Sequence, residues 1–356
     1  MTLFDLTGVF KQIILLLINE RIKPTMTKLG SDYLTLADRF KRTENGKMAA
    51  EIIEMMTDTN ELLKDANALQ CNDGTSHITT IRTGLPSAVF RNLYGYVPTS
   101  KSTTEQVKDT TGMLETYSIV DADLVDKSEN SKAFRLSESS AFIEAMNQKL
   151  TETIFYGSIK ENAAAFDGLA VRYSKKSNDE KKIGSNIIDA GGQGSDNTSI
   201  WLVTWGDQHV SLLYPQGSTA GIQHKDDGVL TETSASGGKR KVYQDHYKMD
   251  AGLTVRDWRS TCRIANIDVS ALAGENAADI EALLNKAYYK TRRFAKTGKT
   301  CIYCNTTILM YFESQLRKKT NVNFTIKEYM NENVIHYKNI PIRECEQITC
   351  TETAVV

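Results

Sequence analysis

No apolar stretch in this sequence is longer than Ile13 to Ile18, and Asn19, Glu20 and Arg21 close it. A membrane-spanning helix needs about 20 apolar residues, so none is expected. The same stretch makes a poor secretion leader: Asp5 precedes it where positive charge belongs, and Glu20 and Arg21 follow it where small residues belong. Proline is scarce, five in 356 residues, and 22 glycines do not make a low-complexity chain, so disordered and collagen-like classes are excluded. Six cysteines (Cys71, Cys262, Cys301, Cys304, Cys345, Cys350) are too thinly spread for a disulfide framework, and reduced thiols in a cytoplasm are the simpler reading. Neither charge is in excess. The 43 Lys and Arg against 44 Asp and Glu leave a net charge of −1, which rules out a polybasic nucleic-acid coat. What the chain does have is 40% hydrophobic residues, enough to bury the core of two ordinary domains or of one with long excursions.

Catalytic patterns are also missing. The five histidines never fall as HxxH or HExxH, and no serine stands in a GxSxG elbow. Gly298-Lys299-Thr300 imitates the end of a phosphate loop, but Arg293 stands where the first glycine belongs, and a helix precedes where a strand should. Gly192 to Asn197 has two glycines of a dinucleotide fingerprint and lacks the third, which makes it a connector. Cys301 and Cys304, with Cys345 and Cys350, permit a zinc or redox reading. Yet residues three apart on a strand face opposite sides, and neither first cysteine sits at a helix N-terminus, so buried free thiols are the expectation. Asp121, Asp123 and Asp126 lack the glycine and terminal glutamate of a calcium loop and read as a solvated face. No catalytic residue, cofactor site or metal site is assigned.

Periodicity gives a mixed α+β order without a repeating βα unit. Residues 34 to 68 read as helix, split near Gly46, with Ala37, Phe40, Ile52, Ile53, Met56, Leu62 and Leu63 as the apolar face. Ser76 to Val120 is Thr-rich, punctuated by Gly84, Pro86, Gly95 and Pro98, and poor in large apolar side chains except near Phe90, Leu93, Tyr94 and Tyr96. It reads as a long hairpin standing off the core. A helix is predicted from a Ser137 cap to Gly157, about 30 Å long, with Phe142, Met146 and Leu150 as its core row. Residues 174 to 199 and 215 to 241 read as loops. Between them Ile200 to Tyr214 makes two strands broken at Gly206-Asp207, and Val242 to Ile267 makes long strands with Gly252 as a bulge. Then follow a helix at 277 to 290, a strand from Lys299 to Cys304, a helix from Asn305 or Thr306 to Lys318, and short strands near 324 to 326, 334 to 337 and 340 to 343.

Four segments carry a resemblance: Ile81-Arg-Thr-Gly-Leu-Pro through Phe90-Arg91; Phe134-Arg-Leu-Ser-Glu with Phe155-Tyr-Gly; Gly252-Leu-Thr-Val-Arg-Asp-Trp-Arg through Arg263-Ile-Ala-Asn-Ile-Asp; and Ile340-Pro-Ile-Arg-Glu-Cys. Over roughly Leu34 to Ile348 the chain resembles the major capsid proteins of tailed bacteriophages, particularly short-tailed ones. That resemblance implies the tailed-phage capsid-shell fold. It divides the chain into an extension (1–33), a helical arm (34–75), an extended hairpin loop (76–126), a peripheral domain with a spine helix (127–275), an axial domain (276–340) and a C-terminal return strand and tail (341–356). It implies a structural, non-enzymatic protein that assembles into hexamers and pentamers of an icosahedral head around double-stranded DNA, in a virion put together in the host bacterial cytoplasm. The implied partners are the chain itself, scaffolding, portal and decoration proteins, and DNA held by non-specific contact. The charged hairpin residues Arg82, Arg91, Lys101, Lys108 and Glu115 are then expected to form ion pairs between subunits. Residues 1 to 25, ahead of Met26, have no counterpart in that pattern; an added arm, a removable leader and an upstream start stay open. Two other readings remain: a bacterial nanocompartment shell of the same fold, and a soluble enzyme whose site is assembled from distant residues.

Overall fold

The computed structural model describes residues 43–44, 47–48, 62–128, 130–234, 237–273, 278–317, 324–329 and 332–356. The chain divides into two compact units, Met1–Ala50 and Glu51–Val356. In the first, β1 (Thr43–Glu44) pairs antiparallel with β2 (Lys47–Met48), so these residues are strand where helix was expected. The extension 1–33 and the helical-face residues Ala37, Phe40, Ile52, Ile53 and Met56 lie outside the described residues.

The second unit begins with α1 (Leu62–Asp65), β3 (Ala68–Gln70), β4 (Ser76–Gly84) and β5 (Thr103–Asp121), followed by α2 (Ala122–Asp126), α3 (Ser131–Tyr156) and α4 (Leu169–Arg172). The strands β6 (Ile187–Asp189), β7 (Asn197–Trp205), β8 (Val210–Tyr214), β9 (Gln223–Thr233), β10 (Lys239–Val255) and β11 (Cys262–Asp268) come next. The chain closes with α5 (Ile280–Thr291), β12 (Lys299–Cys304), α6 (Thr306–Arg317), β13 (Phe324–Tyr329), β14 (Glu332–Tyr337) and β15 (Ile340–Glu344). One sheet runs β13-β14-β15-β12-β7-β8-β10-β5-β4, with β11 beside β7 and β6, β3 beside β8, and β9 beside β10.

The centre of that sheet is buried on both faces, as the unbroken apolar and Thr/Ser sequence of β7 requires. Because side chains alternate, Trp201, Val203 and Trp205 enter one core layer while Ile200 and Leu202 enter the other. β12 repeats the pattern: Cys301 and Tyr303 join the first layer, Ile302 and Cys304 the second. Leu150, Ile154 and Phe155 of α3 close the first layer, with Phe155 tilted against Trp201 at 6.0 Å and edge-on to Tyr303 at 6.2 Å. The second is closed by α5 through Leu283, Leu284 and Ala287 and by α6 through Ile308 and Phe312. Both helices start where capping residues stand: Asp279 Oδ1 accepts from the Ala282 amide at 3.0 Å, and Asn305 Oδ1 accepts from the Thr307 amide at 3.0 Å.

Four further expectations are corrected. The helix expected as a spine, α3, starts at Ser131, not at a Ser137 cap, because nothing from Ser131 to Leu136 breaks a helix and Phe134 gains a buried place there. Within it Met146 and Leu150 are buried, but Phe142 is only half-buried. Phe134 and Glu138 before it and Met146 after it are all buried, so the position on the helix face does not by itself explain the exposure of Phe142. The third correction concerns 215 to 241, where residues 223–233 form β9 and pair with β10 from Lys239↔Thr233 to Lys248↔Gln223. This edge strand is mostly exposed, so it carries no hydrophobic period to read. Its ladder also holds the irregularity expected at Gly252: the register slips between Gln244 and Asp245, opposite Asp226 to Gly228, where Gly228 has φ +74°. Gly252 instead permits close strand approach, since a Cβ there would stand 2.7 Å from the Thr110 carbonyl oxygen.

Candidate assembly surface

β4 and β5 pair antiparallel from Ser76↔Thr110 to Gly84↔Thr103. β5 then changes partner, and Thr111 to Asp121 pair with β10 from Gly252 to Val242. One 19-residue strand is thus half hairpin and half body. The hand-over is marked at Thr111, whose amide and hydroxyl both donate to the Thr75 carbonyl, at 3.1 and 2.9 Å.

Beyond the paired part, residues 85 to 102 form no regular element. They turn at Asn92 to Gly95, where the Gly95 amide donates to Asn92 O at 3.0 Å and Tyr94 takes φ 66°, and Ser100 Oγ donates to Ser87 O at 3.0 Å. The apolar side chains here point at water. Phe90, Tyr94 and Tyr96 are 107%, 100% and 97% exposed, and Leu85, Val89, Leu93 and Val97 join them. Burial of each such side chain would gain roughly 1.5–3 kcal/mol, so covering the tip would be favourable.

At the root of the hairpin, polar side chains lock it to the body. Asp109 is buried and meets Arg172 Nη1 at 2.8 Å, while Arg172 Nη2 donates to Leu253 O at 3.0 Å. His77, opposite Asp109 in the ladder and also buried, lies with Nε2 at 2.7 Å from Arg256 Nη2, and Arg256 Nη1 donates to Asp207 O at 2.8 Å. Burial, and after it the Arg256 charge, hold the His77 imidazole below its ordinary value. None of these four residues had been assigned a role from sequence, since their partners lie 49 to 179 positions away along the chain.

The sequence-predicted ion-pair residues are not brought together. Lys108 meets Asp73 at 3.2 Å within the chain. Glu115 sits opposite Lys248 in the β5/β10 register and lies 3.8 Å from its Nζ and 3.5 Å from His246 Nε2. Both were expected to serve contacts between subunits, and each also has a partner inside the chain. Arg91 and Lys101 are exposed on the tip, and the side chain of Arg82 lies outside the described residues.

The thiols have no shared site. Cys301 and Cys304 face opposite core layers, as their spacing on a strand dictates, and burial pushes Cys262 and Cys301 up to about 12. Two charge networks tie the C-terminal segment and α1 to the sheet. Arg263 Nη2 meets Glu352 at 2.9 Å, and Glu352 also accepts from Ser199 Oγ and Tyr156 OH at 2.5 Å. Asp65 meets Arg343 Nε at 3.2 Å and Lys299 Nζ at 2.5 Å. Burial pushes Asp65 up, yet the Lys299 hydrogen bond and the Arg343 charge bring it below its ordinary value.

The family model for major capsid protein GP7 matches residues 43–356. A chain of the bacteriophage Epsilon15 structure is similar at 36% identity and a TM-score of 0.71, over 93% of this chain and 99% of that one. A chain of the bacteriophage JBD30 capsid is similar in fold, with a TM-score of 0.50 and 10% identity over 89% of this chain and 99% of that one. An encapsulin chain from Synechococcus elongatus reaches a TM-score of 0.40 at 10% identity over 66% of this chain and 96% of that one, too loose a likeness to carry the nanocompartment reading. No curated protein matches.

Proposed function

Because this chain belongs to the major capsid protein GP7 family, we propose that its copies close into the icosahedral head of a tailed phage, each reaching a neighbour with the β4/β5 hairpin. The observation that carries this reading is the exposed apolar tip at 85 to 102, held out from a body whose own core is complete without it. An isolated two-stranded hairpin gains little stability alone, and an uncovered patch of this kind is an interaction site or a liability. Hexamers and pentamers supply the cover, since every copy presents both the hairpin and whatever receives it.

The finer assignments follow the same reading. Residues 127–275 serve as the peripheral part and 276–340 as the axial part near the capsomer centre. Scaffolding and portal proteins direct closure in the host bacterial cytoplasm, and the near-zero net charge suits a shell filled with duplex DNA through weak, non-specific contacts. The role is structural. The triple substitution Phe90→Ser, Tyr94→Ser, Tyr96→Ser tests the arm: soluble subunits with the wild-type melting temperature that no longer form shells in electron micrographs are expected. Wild-type shell yield from the triple variant would overturn the reading.

A further inference from the structure

The root of the hairpin couples its hold on the body to a single buried histidine. His77 is 2% exposed and Asp109 5%, and they stand opposite one another on β4 and β5. The groups that face them come from three other places in the fold: Arg172 from α4, Arg256 from the turn after β10, and Cys71 from the segment before β4. With the thiol neutral, the cluster holds two guanidinium cations and one carboxylate. Since a guanidinium can only donate, the 2.7 Å contact requires His77 Nε2 to accept from Arg256 Nη2, which fixes a neutral ring with its proton on Nδ1. That Nδ1, Asp109 Oδ2 and both Arg172 Nε and Arg256 Nε are buried without a hydrogen-bond partner among the described residues, so the hydrogen bonding of the cluster is incomplete.

We infer that His77 is an acid-sensitive hinge pin: a proton taken from solvent onto Nε2 displaces the Arg256 N–H, sets two cations against each other, and loosens the hold of the body on the β4/β5 hairpin. This rests on the reading of the hairpin as the assembly arm and adds its regulation. The sign follows from the surroundings. Burial and Arg256 disfavour the imidazolium more strongly than Asp109, already engaged by Arg172, favours it, so the folded root binds a proton less readily than the free hairpin. The root is therefore fully held above the ordinary histidine range near pH 6.5 and weakens as pH falls below it. The contacts that remain are the Asp109–Arg172 pair, the backbone ladder and the Thr75–Thr111 bonds. Loosening is thus confined to the hairpin, with the sheet centre intact.

Hydrogen exchange on free subunits, held below the concentration at which shells form, reads this directly once corrected for intrinsic rates. Between about pH 7.5 and about pH 5.5 the protection of amides in 76–84 and 103–110 should fall several-fold while β7 stays constant. In His77→Gln the hairpin protection should be the same at both pH values. Arg256→Gln, which keeps the histidine and removes the opposing cation, should show a smaller fall than wild type. Equal protection at both pH values in the wild type, or an undiminished fall in either variant, overturns the inference. Shell formation is no part of this readout, so a failure of the arm reading would show separately, in the particle yield of the tip variant.

Discussion

Two regions of this chain use the same aromatic side chains for opposite ends. In the sheet centre Trp201, Trp205, Tyr303 and Phe155 are sealed on both sides. At the hairpin tip Phe90, Tyr94 and Tyr96 meet no core of their own. Composition does not separate the two; the company each aromatic keeps does. Around Trp201 the neighbours alternate between two apolar layers, whereas the tip is interrupted by Gly84, Pro86, Gly95 and Pro98, which prevent a ladder and leave the side chains outside. Under the proposed function, a large apolar residue in a segment that cannot build a core is one that a neighbouring copy covers.

The sharpest way to break this comparison is to truncate one aromatic in each region. Phe155→Ala should cost the free subunit about 3–5 kcal/mol in chemical denaturation, a large share of the roughly 5–15 kcal/mol that holds a typical domain. Phe90→Ala should leave the same curve within about 0.5 kcal/mol and lower shell yield instead. Equal effects on subunit stability would show that the tip is folded against the body.

How far sequence reasoning reached follows from the same distinction. Where one face is buried and the ends are capped, as in α5 with Asp279 and α6 with Asn305, the limits were readable to within a few residues. The hairpin was readable from its threonines and its punctuation as far as Thr110, but its expected extent to residue 126 was too long, because Thr111 to Asp121 pair with β10 in the body and 122–126 are helix. The start of the spine was not, because Ser137 offers a plausible cap inside a segment with no reason to stop being helical. β9 was hidden by exposure on an edge, and the root cluster by distance along the chain: no local rule links His77 to Arg256 or Asp109 to Arg172. The pairing of Glu115 with Lys248 depends on register, which only the folded ladder fixes.

The buried pair Arg263–Glu352 offers the next test of the body. Glu352→Ala would leave a guanidinium inside the sheet beside Trp201, whose ring centroid lies 5.0 Å away, with no carboxylate to balance it. Losing one partner of such a pair costs on the order of 3 kcal/mol or more, so a lower denaturation midpoint is expected. An unchanged midpoint would mean that the C-terminal segment does not hold its place on the sheet in solution.

Along α3 the contrast recurs within one helix. Met146→Ala, at a fully buried site, should destabilise the free subunit by about 2–5 kcal/mol, and Phe142→Ala, at a half-buried one, by about 1–2 kcal/mol despite the larger side chain. The reverse order would restore Phe142 to the core row.

The smallest expected effect separates contacts inside the chain from contacts between copies. Glu115 faces Lys248 and His246 across the body part of the ladder, at 3.8 and 3.5 Å, and a third of its side chain remains in water. Partly exposed pairs with such spacing are worth roughly 0–1 kcal/mol, because solvent screens them and two flexible side chains must be held still. Glu115→Gln should therefore shift subunit stability by no more than about 0.5 kcal/mol and leave shell yield as it was, since its partners lie on its own chain. Lys101→Ala is the matched control: it too should leave the free subunit unchanged, but its side chain stands exposed on the tip. A loss of shells with Glu115→Gln and none with Lys101→Ala would place the neighbour against the body of the ladder, and the tip would no longer be the arm.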